Sequence, residues 1–284
     1  MLIRQLRFQK FNSYTPFLKS YVKTVRIMST FDIKFQGKQV PVKVPEQLSV
    51  AKSELLEFRP FTSWIRNLEN SVSKHSSSKF VLRNIEIQSV DKFSKGKVGF
   101  VKLKADFLHP NGKPLPGIAV LRGGTTGMLV VLTAKGKGDS EKYVLLVSQP
   151  RVAAGSIDLV ELPAGMIDDG TFAGAAAKEL EEECGIKIEE SDLVNLLPSS
   201  DDSILLSPGL LDEEIKFFLY HKEMPLDEIK ALEGKLMGNH GHSSENEVIT
   251  LRLLKFQDAE QYTRDAKLII ALSLYNRHKR AQEQ

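Results

Sequence analysis

Alternation of polar and apolar positions is clearest in residues 98–107, where every second side chain from Val101 to Phe107 is apolar. This period of two predicts a β-strand. Further strands are predicted where β-branched and apolar residues cluster, at 128–133, 143–148, 214–220 and 247–254. Helices are predicted at 61–68, 172–184 and 264–279. The predicted core stripe of the last helix is Ala266, Ile269, Ile270, Ser273 and Leu274.

The order of these elements divides the chain in two. A turn cluster of proline, glycine and asparagine at 109–114 separates an early strand and helix region from a later run of strands and helices. We therefore predict a small N-terminal β-rich region at 29–114, followed by an α/β unit with a mixed sheet and flanking helices at 115–284. The one tryptophan, Trp64, lies on the early helix, and we expect it to anchor a core rather than stack on a ligand.

Composition excludes several classes of protein. With 284 residues, of which 42% are hydrophobic and 26% charged, the chain can bury a large core. Its apolar runs are shorter than the roughly 18 residues that span a membrane, so no membrane role is expected. One cysteine, Cys184, leaves no partner for a disulfide within the chain. The first 27 residues contain six basic and no acidic residues, so the remainder of the chain is mildly acidic, which argues against nucleic-acid binding.

Residues 1–28 form a basic leader without any acidic residue. Its arginines, lysines and hydroxyl residues are typical of an organelle transit peptide, so we expect a mitochondrial protein, or a plastid one if the host has plastids. The alternative is a basic tail without a targeting role. Met28 offers a second start, which would yield a cytoplasmic form without the leader.

The segment with the most chemical information combines a tight loop and an acidic helix. Residues 161–165 read Glu-Leu-Pro-Ala-Gly, and residues 178–186 read Lys-Glu-Leu-Glu-Glu-Glu-Cys-Gly-Ile. Glu179, Glu182 and Glu183 are spaced i, i+3 and i+4, which places their carboxylates on one helix face. Clustered carboxylates repel unless a cation lies among them, and Mg²⁺ prefers oxygen ligands. A solvated acidic helix is the alternative. Gly185 is expected to end the helix as a C-cap.

Together these residues resemble the Nudix box, a motif of the Nudix hydrolases. Glu179, Leu180, Glu182, Glu183, Gly185 and Ile186 occupy positions of that motif. Lys178 stands where the motif has arginine, Thr171 stands where it has glutamate, and the loop is one residue short. These departures concern the loop geometry more than metal binding. The resemblance extends over much of residues 64–279 and is strongest to the ADP-sugar pyrophosphatase branch, including plant plastid enzymes. Its supporting segments are residues 148–151, 161–166, 207–209, 212–214 and 245–247.

The resemblance implies a fold, a metal site and site residues. The fold is the Nudix α/β/α sandwich with a mixed sheet, preceded by a small N-terminal β-rich domain. Mg²⁺, with Mn²⁺ as an alternative, would be held by Glu179, Glu182, Glu183 and the carbonyl of Ala164. Arg151 would contact the substrate, although a surface salt bridge is an equally good interpretation. Glu245 or Glu247 would be the catalytic base, in a loop that would otherwise be an ordinary solvated hairpin. Relatives in this branch are usually homodimers.

The implied reaction is metal-assisted hydrolysis of the pyrophosphate of a nucleoside diphosphate sugar. From ADP-ribose it would give AMP and ribose 5-phosphate, and ADP-glucose is a second candidate because residues 196–204 are interpreted as an extra polar loop that widens the sugar pocket. Two alternatives stay open. One is a Nudix hydrolase for NADH, a flavin dinucleotide or a dinucleoside polyphosphate, and the other is a catalytically silent Nudix fold that binds a nucleotide or a partner protein.

Overall fold

The structure is a computed structural model that describes residues 27–75, 79–93, 96–166, 174, 181, 184–199, 202–237 and 249–283. Within these ranges the chain forms a five-stranded sheet and then a nine-stranded sheet. No helix in these ranges has the length and hydropathy of a membrane span. The predicted arrangement, a β-rich region before a mixed α/β unit, is confirmed.

The first sheet consists of β1 (Met28–Phe35), β2 (Lys38–Pro45), β3 (Val81–Lys92), β4 (Val98–Leu108) and β5 (Ile118–Leu121). The strands lie side by side in chain order, and only β2 and β3 run parallel. Two helices, α1 (Lys52–Glu57) and α2 (Arg59–Ser73), connect this parallel pair. A parallel pair needs such a crossover because the chain must return to the same end of the sheet.

One face of the first sheet packs on these helices. In β4, alternate residues Val101, Leu103, Ala105 and Phe107 are buried, as the alternation predicted. Helix α2, which contains the predicted helix 61–68, contributes Phe61 to the same core. Trp64 packs against this core with its ring 6.5 Å from that of Phe61, which supports the interpretation of Trp64 as a core residue.

The second sheet has its longest strands at the centre. β6 (Thr125–Ala134) pairs antiparallel with β7 (Lys142–Arg151) and parallel with β12 (Glu214–Met224), and β14 (Ile249–Lys255) pairs with the other side of β7. Five shorter strands pair with these: β8 (Ser156–Glu161), β9 (Ala164–Met166), β10 (Val194–Asn195), β11 (Ile204–Leu205) and β13 (Leu236–Met237). β9 pairs with the start of β6 and β8 with the end of β7, so residues 156–166 run between these two central strands.

Both faces of the second sheet are covered, which makes it the middle layer of a sandwich. Even-numbered β6 residues such as Val130 face one core, which also contains Cys184 and α3 (Leu226–Lys230). Odd-numbered residues such as Val131 face the other core, with α5 (Ala266–Gln282) against it. A short helix, α4 (Ala259–Tyr262), precedes α5. A strand buried on both faces needs a nearly continuous apolar run, and β6 has one.

The predicted core stripe of the terminal helix is mostly wrong. Leu274 is buried and Ile270 is partly buried, but Ala266, Ile269 and Ser273 are exposed. The buried residues of α5 are Leu268, Ala271, Leu272, Leu274 and Tyr275. Apolar residues occur on nearly every face of this helix, so their spacing does not fix its rotation. The contact with the sheet and the capping residue Asp265 fix it instead.

The predicted division between residues 114 and 115 stays a prediction. β5, which follows that point, pairs with β4 of the first sheet, and Val120 of β5 donates its N–H to the Leu210 carbonyl at 2.8 Å. The strand after the predicted division therefore belongs to the first sheet and is hydrogen-bonded to the segment that precedes β12.

Candidate active site

The loop at residues 161–164 joins β8 to β9 and is held against β6. The N–H of Met128 in β6 donates to the Pro163 carbonyl at 2.9 Å, and Ala164 lies opposite Gly127 of the same strand. Leu162 is fully buried, and a Cβ atom at Gly127 would lie 3.1 Å from its Cδ2 atom. The absence of a side chain at Gly127 therefore lets the loop pack closely on β6. Ala164 is half-buried and its backbone is fixed by the pairing with β6. A carbonyl oxygen that is to bind a metal ion needs such a fixed backbone.

Arg151 is tethered at the end of β7, beside this loop. Its Nε atom lies 2.5 Å from Oε1 of Glu161, which is the last residue of β8. The Glu161 side chain is only 3% exposed, whereas that of Arg151 is 39% exposed. The salt bridge expected for Arg151 as the alternative to substrate contact is therefore present, but its carboxylate, that of Glu161, is buried. The buried carboxylate of Glu161 therefore anchors the Arg151 guanidinium, and the exposed part of the Arg151 side chain can contact a ligand.

Two residues at the start of α5 extend this ion pair. Nζ of Lys267 lies 2.8 Å from Oε2 of Glu161 and 2.9 Å from Oδ1 of Asp265. Oδ2 of Asp265 accepts the N–H of Leu162 at 2.9 Å, and its Oδ1 accepts the N–H of Lys267 at 3.1 Å, which caps α5. Burial lowers the pKa of Lys267, but attraction by Asp265 and Glu161 outweighs it, so this pKa lies above its ordinary value.

A second cluster lies where β6 begins, next to β9. Arg122 pairs with the buried Glu213 at 3.2 Å, and Glu213 also accepts the hydroxyl of Thr125 at 3.3 Å. Thr125 is the β-sheet partner of Met166. Nε of Arg122 is buried and, among the described residues, is the one such side-chain atom without a hydrogen-bond partner. The cluster therefore brings a second guanidinium to the β9 side of the loop.

Asp212 ties this cluster to the first sheet. Its Oδ1 atom accepts the N–H groups of Arg122 at 2.7 Å and of Gly123 at 3.2 Å. Burial raises the pKa of Asp212, although these N–H groups oppose the shift. The carboxylate thus fixes the backbone between β5 and β6.

The predicted site residues divide between described and undescribed parts of the chain. Ala164 and Arg151 are described, and the four residues from Glu161 to Ala164 connect their surroundings. The metal ligands Glu179, Glu182 and Glu183 and the bases Glu245 and Glu247 lie outside the described residues. The part of the chain that is described contains no group of three or more His, Cys, Asp or Glu side chains able to hold a metal. The roles of all seven residues stay predictions.

The end of the predicted acidic helix is described and has the expected cap. Cys184 is helical and buried, and the N–H of Gly185 donates to the Glu181 carbonyl at 3.1 Å. Gly185 has a φ of 66°, and a Cβ atom there would lie 2.8 Å from Cε of Met237. Both the left-handed backbone and the close contact require glycine. The prediction that Gly185 ends the helix is confirmed.

Residues 196–204, interpreted from sequence as an extra polar loop, are only partly that. Leu196 and Leu197 are buried in the core beneath α5, and Ile204 begins β11, which pairs with β12. Pattern reasoning missed this because two leucines and an isoleucine are too few to show a period.

Asp265 and Lys267 are the site residues that sequence reasoning missed. They lie within the predicted helix 264–279, which was interpreted as ordinary core packing. The hydrogen bonds that join them to Leu162 and Glu161 span 103 and 106 residues of sequence. An aspartate just before a helix signals a cap, but no local pattern reveals what else its second oxygen binds.

Comparison with known proteins agrees with this architecture. The model of the NUDIX domain matches residues 123–272. The chain is 37% identical over 245 residues to Nudix hydrolase 14, chloroplastic, of Arabidopsis thaliana, covering 83% of this chain and 76% of that protein. It is 32% identical over 136 residues to the ADP-ribose pyrophosphatase of Haemophilus influenzae, covering 45% of this chain and 55% of that protein.

Among solved structures, the chain resembles an ADP compounds hydrolase with 17% identity and a TM-score of 0.45, covering 71% of this chain and 97% of the other. That likeness is too weak to carry an argument. The domain match spans more than half of the chain, and the plant relative aligns with most of it. The chain belongs to the Nudix hydrolase family.

Proposed function

We propose that this protein hydrolyses the pyrophosphate bond of ADP-sugars, with ADP-ribose and ADP-glucose as substrates and a divalent metal, Mg²⁺ or Mn²⁺, as cofactor. The observation that carries the proposal is the anchored guanidinium of Arg151, tied by Glu161 to the loop that leads to Ala164. A planar guanidinium can bond two oxygens of a pyrophosphate at once. Two relatives, a Nudix hydrolase and an ADP-ribose pyrophosphatase, support the reaction class.

The proposed metal ligands are Glu179, Glu182, Glu183 and the carbonyl of Ala164. The one described member fits, because Ala164 is half-buried and its backbone is fixed against β6. A bound divalent ion supplies charge neutralisation of the pyrophosphate and a water of lowered pKa.

The protein's own residues perform the remaining steps. Arg151 binds and orients the pyrophosphate, and Glu245 or Glu247 accepts the proton of the attacking water. The water oxygen bonds to one phosphorus while the bridging P–O bond breaks, and the other phosphate departs with the bridging oxygen. ADP-ribose therefore yields AMP and ribose 5-phosphate, and ADP-glucose yields AMP and glucose 1-phosphate.

A substrate panel tests this proposal. We expect kcat/KM for ADP-ribose and ADP-glucose to exceed that for UDP-glucose at one Mg²⁺ concentration, because hydrogen bonds to the adenine discriminate strongly against other bases. We expect the same order for NADH, which also contains adenine and therefore tests the sugar end of the site. The sugar pocket would be shaped by the polar part of residues 196–204, between the buried leucines and β11. A clear preference for UDP-glucose or NADH would contradict the ADP-sugar assignment and favour another Nudix substrate.

A matched pair of variants tests the metal site. Glu182→Gln should lower kcat/KM about 100-fold or more, because it removes one metal ligand charge. Glu181→Gln is the control, since the neighbouring Glu181 is exposed and lies off the predicted metal-binding stripe. Equal activity of the two variants in Mg²⁺ would refute the predicted ligand set.

We also infer an organellar location, in a plastid where the host has one. Two observations support this inference. Residues 1–28 are basic and contain no acidic residue, and the Arabidopsis relative is named as a chloroplastic protein. A fluorescent reporter fused to residues 1–35 should enter the organelle. A reporter that stays in the cytosol would contradict this inference and agree with a start at Met28.

We further expect a homodimer, on the basis of the family resemblance. Light scattering after size exclusion should give twice the chain mass of 31.8 kDa. A mass equal to one chain would contradict this expectation.

A further inference from the structure

Four charged side chains of alternating sign form a continuous row from the surface into the sandwich. We call Arg151, Glu161, Lys267 and Asp265 the charge row. Its three ion pairs have N···O distances of 2.5, 2.8 and 2.9 Å in that order. The last carboxylate then accepts the N–H of Leu162 at 2.9 Å. The row therefore begins at the candidate substrate arginine and ends at the loop before Ala164.

Because most of the charge row is buried, its side chains depend on one another. The side chains of Glu161, Lys267 and Asp265 are 3%, 17% and 6% exposed, and only Arg151 is substantially exposed, at 39%. A buried charge is tolerated only when it is paired, so each inner member of the row depends on its neighbours. The exposed end is the one that can face a ligand.

Lys267 has the central place in this arrangement. It contacts both carboxylates, and it belongs to the first turn of α5, whose cap is Asp265. Glu161 has two oxygens, of which Oε1 accepts from Nε of Arg151 and Oε2 accepts from Nζ of Lys267. The lysine thus occupies the oxygen that a second N–H of the guanidinium would otherwise take.

We propose that Lys267 is a positioning residue, which occupies Oε2 of Glu161 and so prevents that carboxylate from drawing the Arg151 guanidinium away from the substrate. This inference rests on the proposed function. Arginine and carboxylate readily form a bidentate pair with two parallel N–H···O bonds. With Lys267 in place, Glu161 anchors the guanidinium through Nε. Without Lys267, the carboxylate would turn toward Arg151 and compete with the pyrophosphate.

Lys267→Met tests the proposal because it keeps the apolar part of the side chain and removes the charged donor. We expect KM for ADP-ribose to rise about 10- to 100-fold, the equivalent of one charge-assisted hydrogen bond, while kcat changes less than about threefold. Lys267→Arg should restore most of the affinity, since its guanidinium can donate to both carboxylates. Lys279→Met, at an exposed position of the same helix, is the control and should leave KM unchanged.

A double variant separates positioning from a merely structural role. In Glu161→Gln/Lys267→Met the competing carboxylate charge is gone, so KM should be lower than in Lys267→Met alone. Independent structural damage would instead make the two substitutions additive. Thermal melts and circular dichroism test whether each variant is folded. If Lys267→Met does not fold, Lys267→Leu carries the same expectation, since it also removes the donor to Oε2.

The outcomes distinguish this inference from the proposed function. A wild-type protein that hydrolyses no ADP-sugar would overturn both. An active wild type with unchanged KM in the folded Lys267→Met or Lys267→Leu variant would overturn only the positioning role. An additive loss in the double variant would do the same.

Discussion

Replacing Asp265 with alanine removes two hydrogen-bond acceptors and one charge in a single change. Oδ1 of Asp265 caps the 17-residue helix α5, and loss of such a cap costs about 0.5 to 2 kcal/mol. Oδ2 satisfies the N–H of the fully buried Leu162, and leaving that group unpaired costs about 1 to 3 kcal/mol. We therefore expect Asp265→Ala to lower the free energy of unfolding by about 2 to 5 kcal/mol.

Urea denaturation followed by circular dichroism measures this loss. Asp265→Ser is the matched control, because serine caps helices well but its shorter side chain should not also reach Leu162. Compared with Asp265→Ala, Asp265→Ser should recover only the part of the free energy of unfolding that comes from the helix cap. Amide hydrogen exchange should then show faster exchange at Leu162 in both variants. An Asp265→Ala protein within about 0.5 kcal/mol of wild type, the range of ordinary surface substitutions, would refute the reasoning.

Three further predictions concern other parts of the fold. Gly117→Ala should destabilise the first sheet by several kcal/mol or prevent folding, because the new Cβ would lie 2.0 Å from the Ala105 carbonyl oxygen; a melting temperature equal to wild type would contradict this. Asp212→Ala should lower the free energy of unfolding by about 1 to 3 kcal/mol, and Asp212→Asn by less, since the amide oxygen can still accept the N–H groups of Arg122 and Gly123. The raised pKa of Lys267 means that its stabilising contribution is complete below the ordinary lysine pKa and is lost as pH rises through the raised value. Urea titrations from about pH 8 to about pH 11 should show that the free energy of unfolding of the wild type falls as pH rises, and that it falls less in Lys267→Met. An equal fall in both proteins would contradict this prediction.

Much of the fold was predictable because its elements have strong local patterns. The alternation in residues 98–107 and the apolar run at 128–133 correspond to β4 and β6. Gly185 was identifiable as a helix end because a left-handed backbone favours glycine. The rotation of α5 was not predictable, since apolar residues surround that helix and only the sheet beneath it selects the buried side.

For the candidate site, the sequence by itself determined the residue types and their local spacing. The acidic stripe, the loop before Ala164 and Arg151 could all be selected as candidates because each belongs to a short motif. What holds Arg151 in place could not be found in this way. Asp265 and Lys267 reach Leu162 and Glu161 only because α5 packs across the second sheet. Sequence patterns report periodicity within one element, whereas a buried ion pair depends on which elements meet, and only the tertiary structure decides that.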